Sequence, residues 1–235
     1  MASSSEGRIF QREKFTSSLS RFLPPIMPTI LLTGFLPFGD SKTNPSQLIA
    51  ECLHGETVGG AQVVGLTLPV ALGVDFERMA EAIETHQPVL VLSLGLATGA
   101  TCLDVERFAV NLRVTEIGDP DAPLPPNGPQ SVVTVDGPDA LFATIDAERV
   151  AAAICENAGV PARAHGYAGS YACNYVLYRT LLHAAERDFS YKAGFVHLPL
   201  SSEQAIAENK LHLPSLPLAL MAAGVRAAIE AALIA

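Results

Sequence analysis

Charge is scarce in this 235-residue chain: Asp, Glu, Lys and Arg make up 17% of it, and 49% is hydrophobic. That balance excludes intrinsic disorder for the bulk of the sequence. A basic excess is missing too. Fifteen Lys and Arg face 24 Asp and Glu, a net charge of −9, so there is no general attraction to phosphate backbones or anionic lipid, and neither nucleic acid nor a membrane surface is an expected partner. The longest charge-free stretch, residues 85–103, contains His86, Gln87, Pro88 and two glycines, a mixture foreign to a spanning helix. The four cysteines (Cys52, Cys102, Cys155 and Cys173) form no CxxC pair, which points to free thiols in a reducing, cytoplasmic compartment. Phosphate loop, zinc-ligand spacing and dinucleotide fingerprint are all missing, so no metal and no cofactor is expected and any chemistry is that of side chains.

The first strand pattern starts at Thr29. Residues 1–26, Ser-rich with Arg8, Arg12, Lys14 and Arg21 mixed with Glu6 and Glu13, lack the apolar stretch of a secretory signal and are expected to form an extension outside a single domain spanning 27–235. Short apolar runs at 29–33, 62–70 and 88–94 read as strands. Helical patterns lie between and after them: one opened by Asn44-Pro45-Ser46, then 74–86, 146–157, 171–187 and 218–234. Strands separated by helices predict an α/β fold, a three-layer α/β/α sandwich around a largely parallel or mixed sheet. Residues 117–130, rich in Pro, Gly and Asp, read as an excursion loop of the kind used for lids and subunit contacts.

Among the cysteines, Cys173 stands out. In Gly169-Ser170-Tyr171-Ala172-Cys173-Asn174-Tyr175 a flexible turn runs into a helical pattern, and a thiol in the first helical turn meets unpaired N–H groups and a dipole that favour thiolate. Cys52 and Cys155, in mid-helix, read as buried structural thiols, and Cys102 is undecided. A thiolate nucleophile needs a base. His197 closes the apolar run Ala193-Gly194-Phe195-Val196-His197 at the sheet edge, where α/β proteins assemble their sites, while His54, His86, His165, His183 and His212 read as surface residues. A carboxylate to orient the imidazole is available in Glu106, with Asp104 as its competitor. Phe35 and Phe38, three apart in the turn Thr33-Gly34-Phe35-Leu36-Pro37-Phe38-Gly39, suit an apolar binding wall as well as a core.

These segments, with Leu68-Pro69-Val70, Gly95 through Asn111, Gly137 through Ala140, Ala168 through Asn174 and Gly194 through Pro199 followed by Glu203-Gln204, resemble pyroglutamyl peptidase I, the pyrrolidone-carboxylate peptidases, in order from Thr29 to Ala235. The resemblance implies a cysteine exopeptidase that removes N-terminal pyroglutamate (5-oxoproline) from peptides. Cys173 would be its nucleophile, His197 its base and Glu106 the orienting acid, and Phe35 and Phe38 would pack on the pyrrolidone ring. It also implies a homo-oligomer. Two segments depart from the family. Gly95-Leu96-Ala97-Thr98-Gly99-Ala100 stands where many bacterial members read Gly-Gln-Ala-Gly-Gly-Arg, putting Leu96 in the binding wall where a hydrogen-bonding amide is usual, and Leu112 through Glu116 replaces an acidic-then-basic pattern. A related cysteine amidase acting on another small N-acyl or lactam compound, and a non-catalytic ligand-binding relative, are the rival readings.

Overall fold

Apolar residues at both odd and even positions make the first strand one that is buried on both faces. In β1 (Thr29–Phe35) Ile30 and Leu32 enter one core, and Leu31 and Phe35 the other. The computed structural model describes residues 27–71, 73–114 and 130–234. After β1 come α1 (Pro45–Leu53), β2 (Thr57–Val58), β3 (Ala61–Leu68), α2 (Val74–His86), β4 (Leu90–Leu96), β5 (Leu103–Val110), β6 (Arg113–Val114) and β7 (Gln130–Ser131). They are followed by β8 (Ala140–Phe142), α3 (Ala147–Ala158), β9 (Ala162–Tyr167), α4 (Ala172–Arg187), β10 (Lys192–Leu198), β11 (Leu200–Ser201), α5 (Ser202–Ala207), β12 (Ser215–Leu216) and α6 (Leu218–Leu233).

The main sheet has the order β2-β3-β1-β4-β10-β5-β8, with β9 added on the free side of β5. Strands β3, β1, β4 and β10 are parallel, as helical crossovers require. Strand β5 then runs antiparallel to β10 and parallel to β9, so the sheet is mixed. Helices α1, α3 and α6 cover the face that carries Ile30, Leu92 and Val196, and α2 and α4 cover the face that carries Leu31, Val91 and Phe195. The expected sandwich is thus present, with α2 at its expected bounds. The strand expected over 62–70 stops at Leu68 before Pro69, and the one expected over 88–94 runs on to Leu96 because β10 pairs with it that far. Asn44 caps α1, its side chain accepting from the Ser46 N–H ahead of Pro45 at the first helical position.

Several expectations need correction. Residues 162–167 were not expected to form a strand but make β9. Cys52 and Cys155 are exposed, not buried. Helix α1 buries Ile49, Ala50 and Leu53, and α3 buries Ala147, Val150, Ala151 and Ile154, which leaves each cysteine on the outer side of its helix. His183, expected at the surface, is buried in α4 between Phe76 and Phe189. The extension 1–26 and loop residues 117–129 lie outside the described residues. Among the described residues no helix is long and apolar enough to cross a membrane.

Helix α1 sits directly on the backbone of β1. A Cβ added at Gly34 would stand 2.2 Å from the Ser46 carbonyl oxygen, and neither backbone can yield cheaply. Gly34→Ala should therefore destabilise the protein by about 1–3 kcal/mol through overpacking, read as a lower urea midpoint at unchanged slope.

Candidate active site

Glycine at 169, with φ +75°, turns the chain from β9 into α4 through the left-handed region that glycine tolerates. Cys173 is the second residue of that helix. The leading N–H groups of an α-helix have no intrahelical partner, so those of Ala172, Cys173 and Asn174 face outward at its positive end. The helix start is pinned to the sheet by the next residue. Fully buried Asn174 accepts from the Val110 N–H at 2.8 Å and donates to the carbonyls of Val110 and Leu112, both at 2.9 Å. The sulfur occupies space that β4 vacates: a Cβ at Gly95 would lie 3.0 Å from Cys173 Sγ and 2.8 Å from the Phe195 ring.

His197 pairs with Gly95 across the parallel junction of β4 and β10. Its ring packs 4.7 Å from that of Phe195 and lies near enough to the Cys173 sulfur to be acted on by it. On the other side, Nδ1 of His197 lies 2.7 Å from Oε1 of Glu106, a β5 residue only 1% exposed. Glu106 is thus held inside the sheet, away from water. The expected sulfur, imidazole and carboxylate, drawn from α4, β10 and β5, form one continuous chain of contacts. Burial pulls the imidazole of His197 down, but the Cys173 sulfur and the Glu106 carboxylate outweigh it and push the group up to about 10. A protonated imidazole is the partner that cysteine chemistry requires beside its sulfur.

Asp104, the competitor for the orienting role, is engaged elsewhere. Its carboxylate accepts from Arg163 Nε at 2.6 Å and Nη2 at 3.2 Å. Burial raises it, yet the bonds from Arg163 and Cys102 hold it below the usual carboxylate range. That leaves Glu106 to His197. His165, read as a surface residue, has a partner the sequence did not show: on β9 its side chain is 42% exposed, yet its Nδ1 lies 2.9 Å from Oε2 of Glu106. The only hint in the sequence was the alternation Ala162-Arg163-Ala164-His165, too short and too polar to announce a strand.

A pocket opens beside the sulfur, lined by Phe35, Phe38, Asn44, Val70, Leu96, Tyr171, Ala172 and Cys173. Phe35 is buried at the end of β1, whereas Phe38 is 43% exposed, so one ring forms the floor and the other a rim. Leu96 lies in the wall. Of the polar lining residues, Asn44 is already committed, its Oδ1 to Ser46 and its Nδ2 to the Leu36 carbonyl.

A sequence profile of the pyroglutamyl peptidase family matches residues 28–235. The chain belongs to the pyroglutamyl peptidase family. It is a family of cysteine peptidases. Among the relatives are pyrrolidone-carboxylate peptidases of Oceanobacillus iheyensis, 36% identical over 78% of this chain and 89% of that one, and of Coprothermobacter proteolyticus, 37% identical over 87% and 96%. The solved pyrrolidone carboxyl peptidase of Thermococcus litoralis superposes with a TM-score of 0.79 at 32% identity, covering 88% of this chain and 94% of that one.

Two outcomes follow for this family member. Asn174→Ala leaves three backbone groups at the end of β5 without their partner and should cost about 2–4 kcal/mol, measured by urea unfolding. His197 is raised from 6.5 to about 10, so the stability it contributes is fully present below its unfolded value and is lost as pH climbs through the folded one. The stability gap between wild type and His197→Gln should accordingly narrow between pH 6.5 and about 10, as followed by unfolding curves across that range.

Proposed function

We propose that this protein hydrolyses the amide bond after an N-terminal pyroglutamate, with Cys173, His197 and Glu106 as its catalytic groups. The observation that carries the reading is the line of contacts from the buried Glu106 carboxylate through His197 to the Cys173 sulfur, beside an apolar pocket that begins at the same sulfur. Phe35 and Phe38 supply flat apolar surface suited to a five-membered lactam, and Leu96 adds to the wall.

The reaction runs in two halves. The thiolate of Cys173 attacks the scissile carbonyl carbon, and the oxyanion is met by the outward N–H groups at the start of α4. Nε2 of His197 passes its proton to the departing amine, the C–N bond breaks, and a 5-oxoprolyl thioester remains on the sulfur. Water then gives a proton to the now neutral imidazole and attacks the thioester. Collapse of that intermediate expels 5-oxoproline and restores the thiolate and imidazolium. Throughout, Glu106 holds the Nδ1–H and stabilises the cation.

The same reading extends to the setting. Four free thiols support a reducing, cytoplasmic compartment. Exposed Phe142 and Val135, at 75% and 76%, support a homo-oligomer, since large apolar side chains left open at a surface favour association. The family match beginning at residue 28 supports treating 1–26 as an extension ahead of a 27–235 domain.

The direct test is hydrolysis of a pyroglutamyl-aminomethylcoumarin by the purified protein under reducing conditions. Cys173→Ala should lower kcat by about 10⁴-fold or more, and Glu106→Gln by about 10²–10⁴-fold. A wild-type rate no greater than that of Cys173→Ala would sink the proposal. The rival amidase reading is favoured by Leu96 in the pocket wall, because leucine offers a lactam no hydrogen bond. A panel of prolyl, N-acetyl and pyroglutamyl amides separates the two, and Leu96→Gln should raise preference for the pyroglutamyl compound.

A further inference from the structure

The acid of the proposed triad is held by two imidazoles. Strands β5 and β9 run parallel in register, with Asp104 opposite Arg163 and Glu106 opposite His165. Because side chains two apart share a face, two acid–donor pairs stand side by side. The first is closed: Arg163 occupies both oxygens of Asp104. In the second, each oxygen of Glu106 has its own ring, Oε1 facing His197 Nδ1 at 2.7 Å and Oε2 facing His165 Nδ1 at 2.9 Å. The two rings meet different surroundings. The side chain of His197 is 11% exposed, whereas that of His165 is 42% exposed.

A carboxylate buried to 1% exposure with only one oxygen bonded would carry an unsatisfied anionic atom, and it could turn about its Cγ–Cδ bond to relieve it. The His165 bond removes both the penalty and the freedom. We propose that His165 is a positioning residue of the catalytic centre: its Nδ1–H bond to Oε2 locks the Glu106 carboxylate so that Oε1 meets His197. The inference rests on Glu106 having the orienting role proposed above.

Among the described residues, the charged groups beside His165 have partners of their own. On its own strand Arg163 is tied to Asp104. On β5, Asp104 feels the His165 charge, and Arg107 reaches the His165 carbonyl at 3.5 Å while pairing with Glu148 of α3 at 2.7 Å. The nearby cations and anions are thus already matched with one another. Glu106 is left as the anion that answers the His165 ring.

The test uses His165→Ala, which removes the donor, and His165→Asn, whose amide nitrogen falls where Nδ1 was. Two readouts are followed from pH 5 to 9: hydrolysis of the pyroglutamyl-aminomethylcoumarin, and the rate of Cys173 alkylation by iodoacetamide resolved by mass spectrometry. His165→Ala should lower kcat about tenfold with KM within about twofold, and His165→Asn should recover most of the loss; these sizes correspond to one charge-assisted hydrogen bond at about 1.4 kcal/mol per tenfold. The alkylation rate of Cys173 should fall with kcat in His165→Ala and recover with it in His165→Asn. In a Glu106→Gln background, adding His165→Ala should cost nothing further, because the effect runs through Glu106.

Wild-type kcat in His165→Ala, or equal independent losses in the double variant, would overturn the positioning role while leaving the triad intact. Wild-type kcat and alkylation rate in Glu106→Gln would instead bring down the triad reading itself. Should His165→Ala fail to fold, His165→Phe, which fills the same space without a donor, takes its place: wild-type kcat in that variant overturns the proposal.

Discussion

A carboxylate with almost no access to water must be answered by donors on every side, and the arrangement around Glu106 follows from that demand. Its buried charge costs several kcal/mol unless it is paired and hydrogen-bonded. The sheet meets the cost by reversing direction at β5, which brings β10 to one flank of the acid and β9 to the other. Each flanking strand contributes one histidine. An all-parallel sheet would have needed another crossover helix at this point, on the side where α4 now brings its own first turn against the end of β5.

The sulfur is located by subtraction as much as by contact. Gly95 withholds a side chain where Sγ and the Phe195 ring converge, and Asn174 ties the helix start to the backbone at the end of β5. Together they set the depth and the angle of the sulfur. The pocket beside it is mostly apolar, with Phe35 as floor, Phe38 as rim, and Val70, Leu96 and Tyr171 in its lining. On the function proposed above, apolar contact of that kind would discriminate far less sharply between close analogues than hydrogen bonds to the substrate.

Much of this was legible in the residues themselves. Cys173 announced itself through a glycine turn running into a helical pattern, and His197 through an apolar run halted by Pro199. The edge of helix α2 was readable because Gly73 and Pro88 bracket a strongly periodic segment. What stayed hidden depended on partners remote in the chain. Arg163 and His165 look like an exposed polar stretch until β5 is laid beside them, since an edge strand needs only one neighbour and shows only a faint alternation. The exposure of Cys52 and Cys155 was hidden for a related reason: in Ala-rich helices many positions are apolar, and which stripe faces inward is settled by the sheet beneath. Choosing between Asp104 and Glu106 likewise needed the arginine that disarms one of them.

The reversal at β5 also bears on how the protein assembles. Strands β1, β3 and β4 follow one another with one helix between each and the next, but Glu106 reaches His197 only when β5 pairs with β10, a strand that lies far along the chain from both β4 and β5. Distant pairings are slow to form, because loop-closure entropy is lost before the contact rewards it. The meeting of carboxylate and imidazole therefore belongs to the slowly formed part of the fold and is completed only with the sheet itself.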